Sequence, residues 1–98
     1  LYIDDLCSAI QNIMNKQKIK FDLVNVSYGK AFSVKNIVKK IKIFMGKSYN
    51  IFFDKKKPSI KINILIDNSK MIRKYNWKPK ISIDNGIKKT VSWYLNNI

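Results

Sequence analysis

The 98-residue sequence has no histidine, no glutamate and a single cysteine, Cys7. Histidine is the commonest metal ligand and general base, and one cysteine cannot build a disulfide framework or a cysteine-rich zinc site. We therefore expect no metal site, and any chemistry that this chain performs alone must use Asp, Lys, Tyr, Ser or Cys7. Cys7 lies beside an apolar stripe, and we predict that it is a small, half-buried packing residue.

Long apolar runs are also missing. No run approaches the roughly 20 residues that a helix needs to cross a bilayer. The N-terminal residues lack the charged-then-apolar order of a signal peptide. We expect a soluble, cytoplasmic protein that does not contact a membrane.

Negative charge is scarce as well. Twenty Lys and Arg residues face six aspartates, which gives a net charge of +14. Such a charge suits a stand-alone basic module that binds nucleic acid or another polyanion, and this is our alternative function. However, all but one of the cations are lysine, and they are spread along the chain rather than clustered, which favours a solvated surface. We therefore do not expect nucleic acid to be the partner.

Four segments combine a helix start signal with apolar residues at helical spacing. We predict helices from Asp4 or Asp5 to Lys16, Ser33 to Gly46, Asn68 or Ser69 to about Tyr75, and Ser82 to about Asn96. The adjacent carboxylates of Asp4 and Asp5 are interpreted as a helix cap rather than an acid/base pair or metal site, because an amphipathic run follows them. The lysines of the second helix have no acidic residue to pair with, and we expect them to add solubility.

Three further segments are rich in β-forming residues. They are residues 21–27, 49–53 and 60–66, the last with isoleucine at every second position. Helices that alternate with strands indicate an α/β or α+β fold, of which we predict α/β, and the length allows one small domain, residues 1–98. Leu1 already lies in an apolar, strand-like run, so we expect more chain before it. We expect the isoleucines of residues 60–66 to pack against that missing part or another subunit, rather than to form a partner-binding edge strand, which would leave apolar surface exposed.

Several motifs occur in an order that identifies a family. They are Tyr2-Ile3-Asp4-Asp5-Leu6, Val24-Asn25-Val26-Ser27-Tyr28-Gly29, Asp67-Asn68-Ser69-Lys70, and Asn76-Trp77-Lys78-Pro79 with the helix start Ser82-Ile83-Asp84-Asn85-Gly86. Each motif alone is weak, but their order and spacing together are specific. Over almost its whole length the chain resembles the C-terminal part of the extended short-chain dehydrogenases/reductases, the NAD(P)-dependent epimerases, dehydratases and reductases of nucleotide sugars.

The resemblance implies a place for the nucleotide sugar. Phe52-Phe53-Asp54-Lys55-Lys56-Lys57-Pro58, followed by Leu65-Ile66-Asp67, is most similar to the GDP-L-fucose synthases of this family. In those enzymes the segment lies over the substrate, so the implied substrate-binding residues are Lys57, Pro58, Ser59 and Asn63. Lys57 and Pro58 match the family pattern, whereas Ser59 replaces an aspartate and Asn63 an arginine. These two changes leave a degenerate, inactive remnant as a further alternative.

The working parts that the resemblance implies lie elsewhere. In the family, a glycine-rich turn and a Ser, Tyr-x-x-x-Lys set in the N-terminal Rossmann half bind NAD or NADP and exchange protons. This chain has neither sequence, so we expect it to bind no cofactor and catalyse nothing by itself. The implied function is the small substrate-binding lobe of a nucleotide-sugar epimerase, dehydratase or reductase, with the Rossmann half absent. Its implied partners are that half, the nucleotide sugar and, in the full-length form, a second copy in a homodimer.

The stretch NWKPKIS reads differently once the family is considered. Asn76 stands where the family has a helix-ending glycine, and asparagine tolerates the left-handed conformation needed there. We predict that Trp77 is a core anchor, that Pro79 prevents the helix from resuming, and that Ser82 caps the last helix. The two lysines of the stretch are expected to point to water. We therefore interpret this stretch as a structural corner rather than as an aromatic and basic binding site for nucleic acid.

Overall fold

Four α-helices form the described part of the chain in the computed structural model, which describes residues 1–59 and 64–98. They are α1, Ile3–Lys16; α2, Val34–Met45; α3, Ser69–Tyr75; and α4, Ile83–Asn97. α1 packs with α3, and α2 packs with α4. No helix in the described ranges is long and apolar enough to span a membrane.

The helix boundaries follow local signals. Ser33 and Ser82 accept hydrogen bonds from the backbone N–H groups of Asn36 and Asn85, as N-cap residues do. α2 ends at Gly46 in the left-handed conformation, with φ of 65°. These caps confirm the predicted starts of α2 and α4 and the predicted end of α2.

The predicted cap of α1 is wrong. The residue before the first turn is Tyr2, and its side chain makes no capping hydrogen bond. Asp4 lies at the surface, where its carboxylate pairs with Lys89 of α4 at 3.3 Å. Asp5 is buried, only 4% exposed, and binds a distant segment. Both carboxylates therefore lie in the first turn of α1 but bind other segments instead of capping the helix.

The predicted strands are wrong for the residues that the structure describes. Residues 21–27, 49–53 and 64–66 have no strand, and the rest of the third predicted strand, residues 60–63, lies outside the described ranges. Burial still alternates from Phe21 to Val26, as in a half-buried extended segment. Among residues 1–59 and 64–98 no backbone ladder pairs with this segment, and Ser27 Oγ donates a hydrogen bond to the Ile66 carbonyl. The described part is therefore helical with extended connections, rather than α/β.

The core lies between α1, α3 and the corner after α3. The buried residues of the core are Ala9, Met71, Tyr75 and Trp77. The partly buried Ile13, Val24 and Val26 pack against them. Ile87 and Val91 of α4 are also buried. The predicted inward stripes are only partly confirmed, because Met14, Val34 and Ile98 are more than 70% exposed. Cys7 is exposed, so the prediction of a half-buried packing role is wrong.

The apolar surface is large for a 98-residue protein. Phe21, Leu23 and Phe52 are 77%, 74% and 89% exposed. The radius of gyration is 16.9 Å, whereas a compact domain of this length has about 13 Å. Apolar side chains in this number are seldom left in water unless another surface covers them. In the segment for which the sequence predicts exposed apolar surface, Ile64 and Ile66 are 66% and 49% exposed, and residues 60–63 lie outside the described ranges.

Candidate functional site

The corner after α3 is held by a buried carboxylate. Asp5 Oδ2 accepts the backbone N–H of Ile81 at 2.9 Å, and both Asp5 oxygens lie within 3.2 Å of the Lys80 nitrogen. Hydrogen bonds to an ionised acceptor are roughly twice as strong as neutral ones. Asp5 therefore fixes the start of α1 to the segment that leads into α4.

Trp77 confirms its predicted place in the core. It is 7% exposed, and its indole Nε1–H donates to Ser8 Oγ at 2.9 Å. Asn76 has φ of 50°, the left-handed conformation expected of it. Lys78 and Lys80 are exposed, as predicted. Lys16 Nζ also donates to the last carbonyl of α3, that of Tyr75, at 2.8 Å. The stretch NWKPKIS is therefore a structural corner whose lysines face solvent.

Two neighbouring grooves flank this corner. One has a cavity volume of about 380 Å³ and lies between the Tyr28–Lys30 turn and residues 78–82. The other has a volume of about 470 Å³ and lies between α2 and α4, beneath Leu1 and Tyr2. Tyr28, Ile81 and Ser82 line both grooves. The two grooves are therefore adjacent to each other.

The two grooves differ in chemistry. We call the first the cationic cleft, because Lys30, Lys78 and Lys80 line it and no carboxylate does. We call the second the apolar groove; it is lined by aliphatic and aromatic side chains, among them Ile41, Met45, Ile87, Trp93 and Tyr94. The cationic cleft therefore suits an anionic group, and the apolar groove suits an apolar or aromatic group.

Two glycines on this site lie close to neighbouring side chains. Gly29 has φ of +76°, and a Cβ there would come within 2.9 Å of the Asn68 side-chain nitrogen. Asn68 in turn donates to the Ser27 carbonyl at 3.1 Å, which fixes the turn against α3. Gly86 lies in α4, where a Cβ would come within 3.2 Å of the Tyr2 ring.

The second helix also has an ion pair that sequence reasoning missed. Lys40 of α2 pairs with Asp84 in the first turn of α4. The expectation that the α2 lysines have no acidic partner is therefore wrong, because the partner lies 44 residues away. Asp84 also contributes negative charge at the N-terminus of α4, where it is favourable.

A second polar cluster lies on α3. The carboxylate of Asp22 accepts hydrogen bonds from Lys70, Lys74 and the Tyr75 hydroxyl, at 2.7, 2.6 and 2.6 Å. The bonds from Lys70, then Lys74, then Tyr75 hold the pKa of Asp22 well below its ordinary value of 3.8. The same contact with Asp22 raises the pKa of the Tyr75 hydroxyl. Sequence offered no signal for this cluster, since Asp22 lies about 50 residues from its partners.

Acid should therefore weaken the protein partly through Asp22. A depressed pKa contributes stability that is complete above about pH 5 and declines as the pH falls below 3.8 towards the folded value. We expect the free energy of unfolding to fall more steeply between pH 5 and pH 3 in the wild type than in Asp22→Asn. Urea unfolding at several pH values measures this. Asp54→Asn is the control, because it removes the same charge from an exposed turn. The expectation is contradicted if the free energy of unfolding of Asp22→Asn falls with pH as steeply as that of the wild type.

The substrate-binding residues implied by the sequence lie apart from the grooves. Lys57, Pro58 and Ser59 are exposed on the segment that follows the turn at Lys55. None of the three lines either groove. Asn63 lies outside the described residues. Their role in substrate binding therefore stays a prediction.

A metal site is not indicated by the described residues. In residues 1–59 and 64–98, no group of three or more Cys, Asp or other usual metal-ligating side chains comes together. The Asp22 carboxylate is instead taken up by lysine and tyrosine, and that of Asp5 by backbone N–H groups.

Comparison with known proteins gives clear similarities. The whole chain is 34% identical to a protein of Arabidopsis thaliana named as GDP-L-fucose synthase 2, and spans 29% of that protein. Over 99% of the chain it is 30% identical to UDP-glucuronate 4-epimerase of Thermodesulfobacterium geofontis, and over 98% it is 28% identical to GDP-L-colitose synthase of Yersinia pseudotuberculosis. The chain spans about 30% of the length of each of these curated relatives. No protein-family model matches it.

Proposed function

We infer the function from the resemblance of the whole chain to the C-terminal part of the extended short-chain dehydrogenases/reductases. The similarities to known proteins confirm this resemblance. The names of the relatives share one chemical feature, a sugar carried by a nucleoside diphosphate. We propose that the protein acts on such a nucleotide sugar, and that this chain is the part that holds the substrate.

The exposed apolar surface supports this proposal. Side chains such as Phe21, Leu23 and Phe52 would be covered by the NAD(P)-binding region of a longer enzyme. In that enzyme the cofactor, NAD or NADP, would supply the hydride transfer, and this chain would orient the sugar. The homodimer and the cytoplasmic location stay predictions.

The substrate residues proposed on this chain are Lys57, Pro58, Ser59 and Asn63. Lys57 is exposed and therefore accessible to a diphosphate, and a compact ammonium group is a usual partner for phosphate. The names of these relatives include two GDP-linked activities and one UDP-linked activity, so they do not identify the base of the nucleotide.

Binding of nucleotide sugars tests the proposal. We expect GDP-L-fucose or UDP-glucuronate to bind the protein in saturation-transfer NMR and calorimetry, and Lys57→Gln to weaken binding about 3- to 10-fold through loss of one phosphate contact. Lys55→Gln, on the same turn, is the control and should change it less than about twofold.

Other results would contradict the proposal. Failure of both nucleotide sugars to bind, together with binding to mixed-sequence RNA or DNA that weakens steeply with salt, would favour the polyanion-binding module instead. Equal losses in Lys57→Gln and Lys55→Gln would mean that the turn acts only through its total charge.

A further inference from the structure

We propose that Asn85 is a site of spontaneous covalent modification, at which its carboxamide is converted to a carboxylate whenever the first turn of α4 opens. In this sequence, Asn85 is the one asparagine that is followed directly by glycine, Gly86. Because glycine has no Cβ, the backbone nitrogen after Asn85 is less hindered than the nitrogen after any other asparagine of the chain.

The reaction needs only water and two residues of this chain. The Gly86 nitrogen attacks the side-chain carbonyl carbon of Asn85, and the new C–N bond closes a five-membered imide. The Gly86 N–H gives up its proton, and the side-chain nitrogen leaves as ammonia. Water then opens the imide at either carbonyl. One product is aspartate at position 85; the other is isoaspartate, in which the backbone runs through the side-chain carbon and is one methylene longer.

The closed first turn of α4 protects this bond. The Gly86 N–H donates to the Ser82 carbonyl at 2.9 Å, and Gly86 is buried against the Tyr2 ring. The Asn85 N–H donates to Ser82 Oγ at 3.2 Å, which holds the backbone on both sides of the bond in the helix. Asn85 itself is exposed, so water reaches its side chain. Opening of the turn, which frees the Gly86 nitrogen, therefore controls the rate.

The first turn of α4 can open without disturbing the core. Two exposed contacts hold it: the cap at Ser82 and the ion pair of Asp84 with Lys40. The core cluster lies between α1, α3 and the corner, and residues 83–86 are not part of it. Helix ends open locally at a much lower free energy than the whole protein unfolds. Modification in the folded protein therefore proceeds through local opening.

The two products have different effects on the fold. Aspartate at position 85 adds a negative charge to the first turn of α4, where negative charge is favourable. Isoaspartate lengthens the backbone between Ser82 and Ile87, so the cap geometry and the pair between Asp84 and Lys40 are lost together. Since that pair joins α4 to α2, the isoaspartyl product loosens the contact between the two helices.

Peptide mapping tests the reaction. The tryptic peptide Ile81–Lys88 is followed by mass spectrometry during long incubation at neutral pH, in the folded protein and in urea. We expect conversion of amide to acid in both, at least about 10-fold more slowly in the folded protein because its first turn is mostly closed. An isoaspartyl methyltransferase labels the isoaspartyl product and not the aspartyl one. Asn85→Gln, which would have to close a larger ring, is the control and should remain unmodified.

Two matched cap variants test whether the first turn of α4 controls the rate. Ser82→Ala removes the cap of α4, and Ser33→Ala removes the cap of α2, whose hydrogen bond has the same length of 3.2 Å. Loss of a serine cap should raise the open fraction of its own helix start, and with it the rate in Ser82→Ala, about 5-fold. Ser33→Ala should change the rate less than about twofold, because it opens a different helix.

Three results would overturn the proposal: no conversion of Asn85 in the unfolded chain, equal rates in the folded and unfolded protein, or equal acceleration in the two cap variants. The effect on the fold has its own measurement. Asn85→Asp should resist urea at least as well as the wild type, whereas the isoaspartyl form, isolated by ion exchange, should unfold at lower urea. Equal midpoints for these two forms would contradict the loosening of α2 from α4.

Discussion

Replacing Asp5 with alanine is expected to destabilise the protein by about 3 kcal/mol or more. The substitution removes a buried carboxylate and leaves the backbone N–H groups of Lys80 and Ile81 without their acceptor. Each unsatisfied buried donor costs about 1–3 kcal/mol. Since a domain of this size has about 5–15 kcal/mol in total, the midpoint of urea unfolding should fall sharply with little change in slope.

The neighbouring aspartate provides the matched control. Asp4→Ala removes the same charge from the same helix turn, but Asp4 and its partner Lys89 are more than half exposed. Exposed ion pairs contribute about 0–1 kcal/mol, so this variant should be nearly as stable as the wild type. Similar losses in Asp4→Ala and Asp5→Ala would mean that both act through the charge at the helix start, as the capping interpretation requires. Asp5→Asn, which retains one acceptor oxygen, should lie between Asp5→Ala and the wild type.

Trp77→Ala is the second substitution with a large expected effect, about 3–5 kcal/mol. The indole fills the space between α1 and α3, and its removal leaves a cavity together with a lost hydrogen bond to Ser8. Chemical denaturation followed by far-ultraviolet circular dichroism measures the loss without relying on tryptophan fluorescence.

Trp93→Ala is the corresponding control. Trp93 is 67% exposed, so truncation removes little packing and should cost less than about 1 kcal/mol. Equal costs for the two tryptophans would contradict the assignment of Trp77 as the core anchor. Trp77→Phe should recover part of the loss, because it refills much of the cavity but lacks the indole N–H.

The corner after α3 shows how much of the structure can be predicted from the sequence. Asn76 and Trp77 were predicted from the family resemblance together with the rules for helix ends, and Ser82 from its place before an apolar run; each has the expected conformation, burial or hydrogen bond. Their neighbours in sequence carry the information, since a helix stop and the next helix start occur within six residues. The carboxylate that holds the same corner lies 75 residues away and has no such local signal.

The candidate site was less predictable. Lys78 and Lys80 are correctly predicted to face solvent, but their place in a shared cleft with Lys30 depends on how the Tyr28–Lys30 turn packs beside the corner. Asn68 fixes that turn by its hydrogen bond to the Ser27 carbonyl, a contact 41 residues apart. Sequence spacing alone cannot show such a meeting.

The sequence by itself determined the four helices, the left-handed positions at Gly46 and Asn76, the serine caps and the family resemblance. These depend on residues within a few positions of one another, or on the order of motifs. Only the tertiary structure decided that Asp5 is a buried clamp, that Lys40 meets Asp84, and that residues 21–27 pair with no strand among the described residues. The physical reason is that a carboxylate, a lysine or an extended segment can be satisfied by many partners, and only the packing of distant segments selects one.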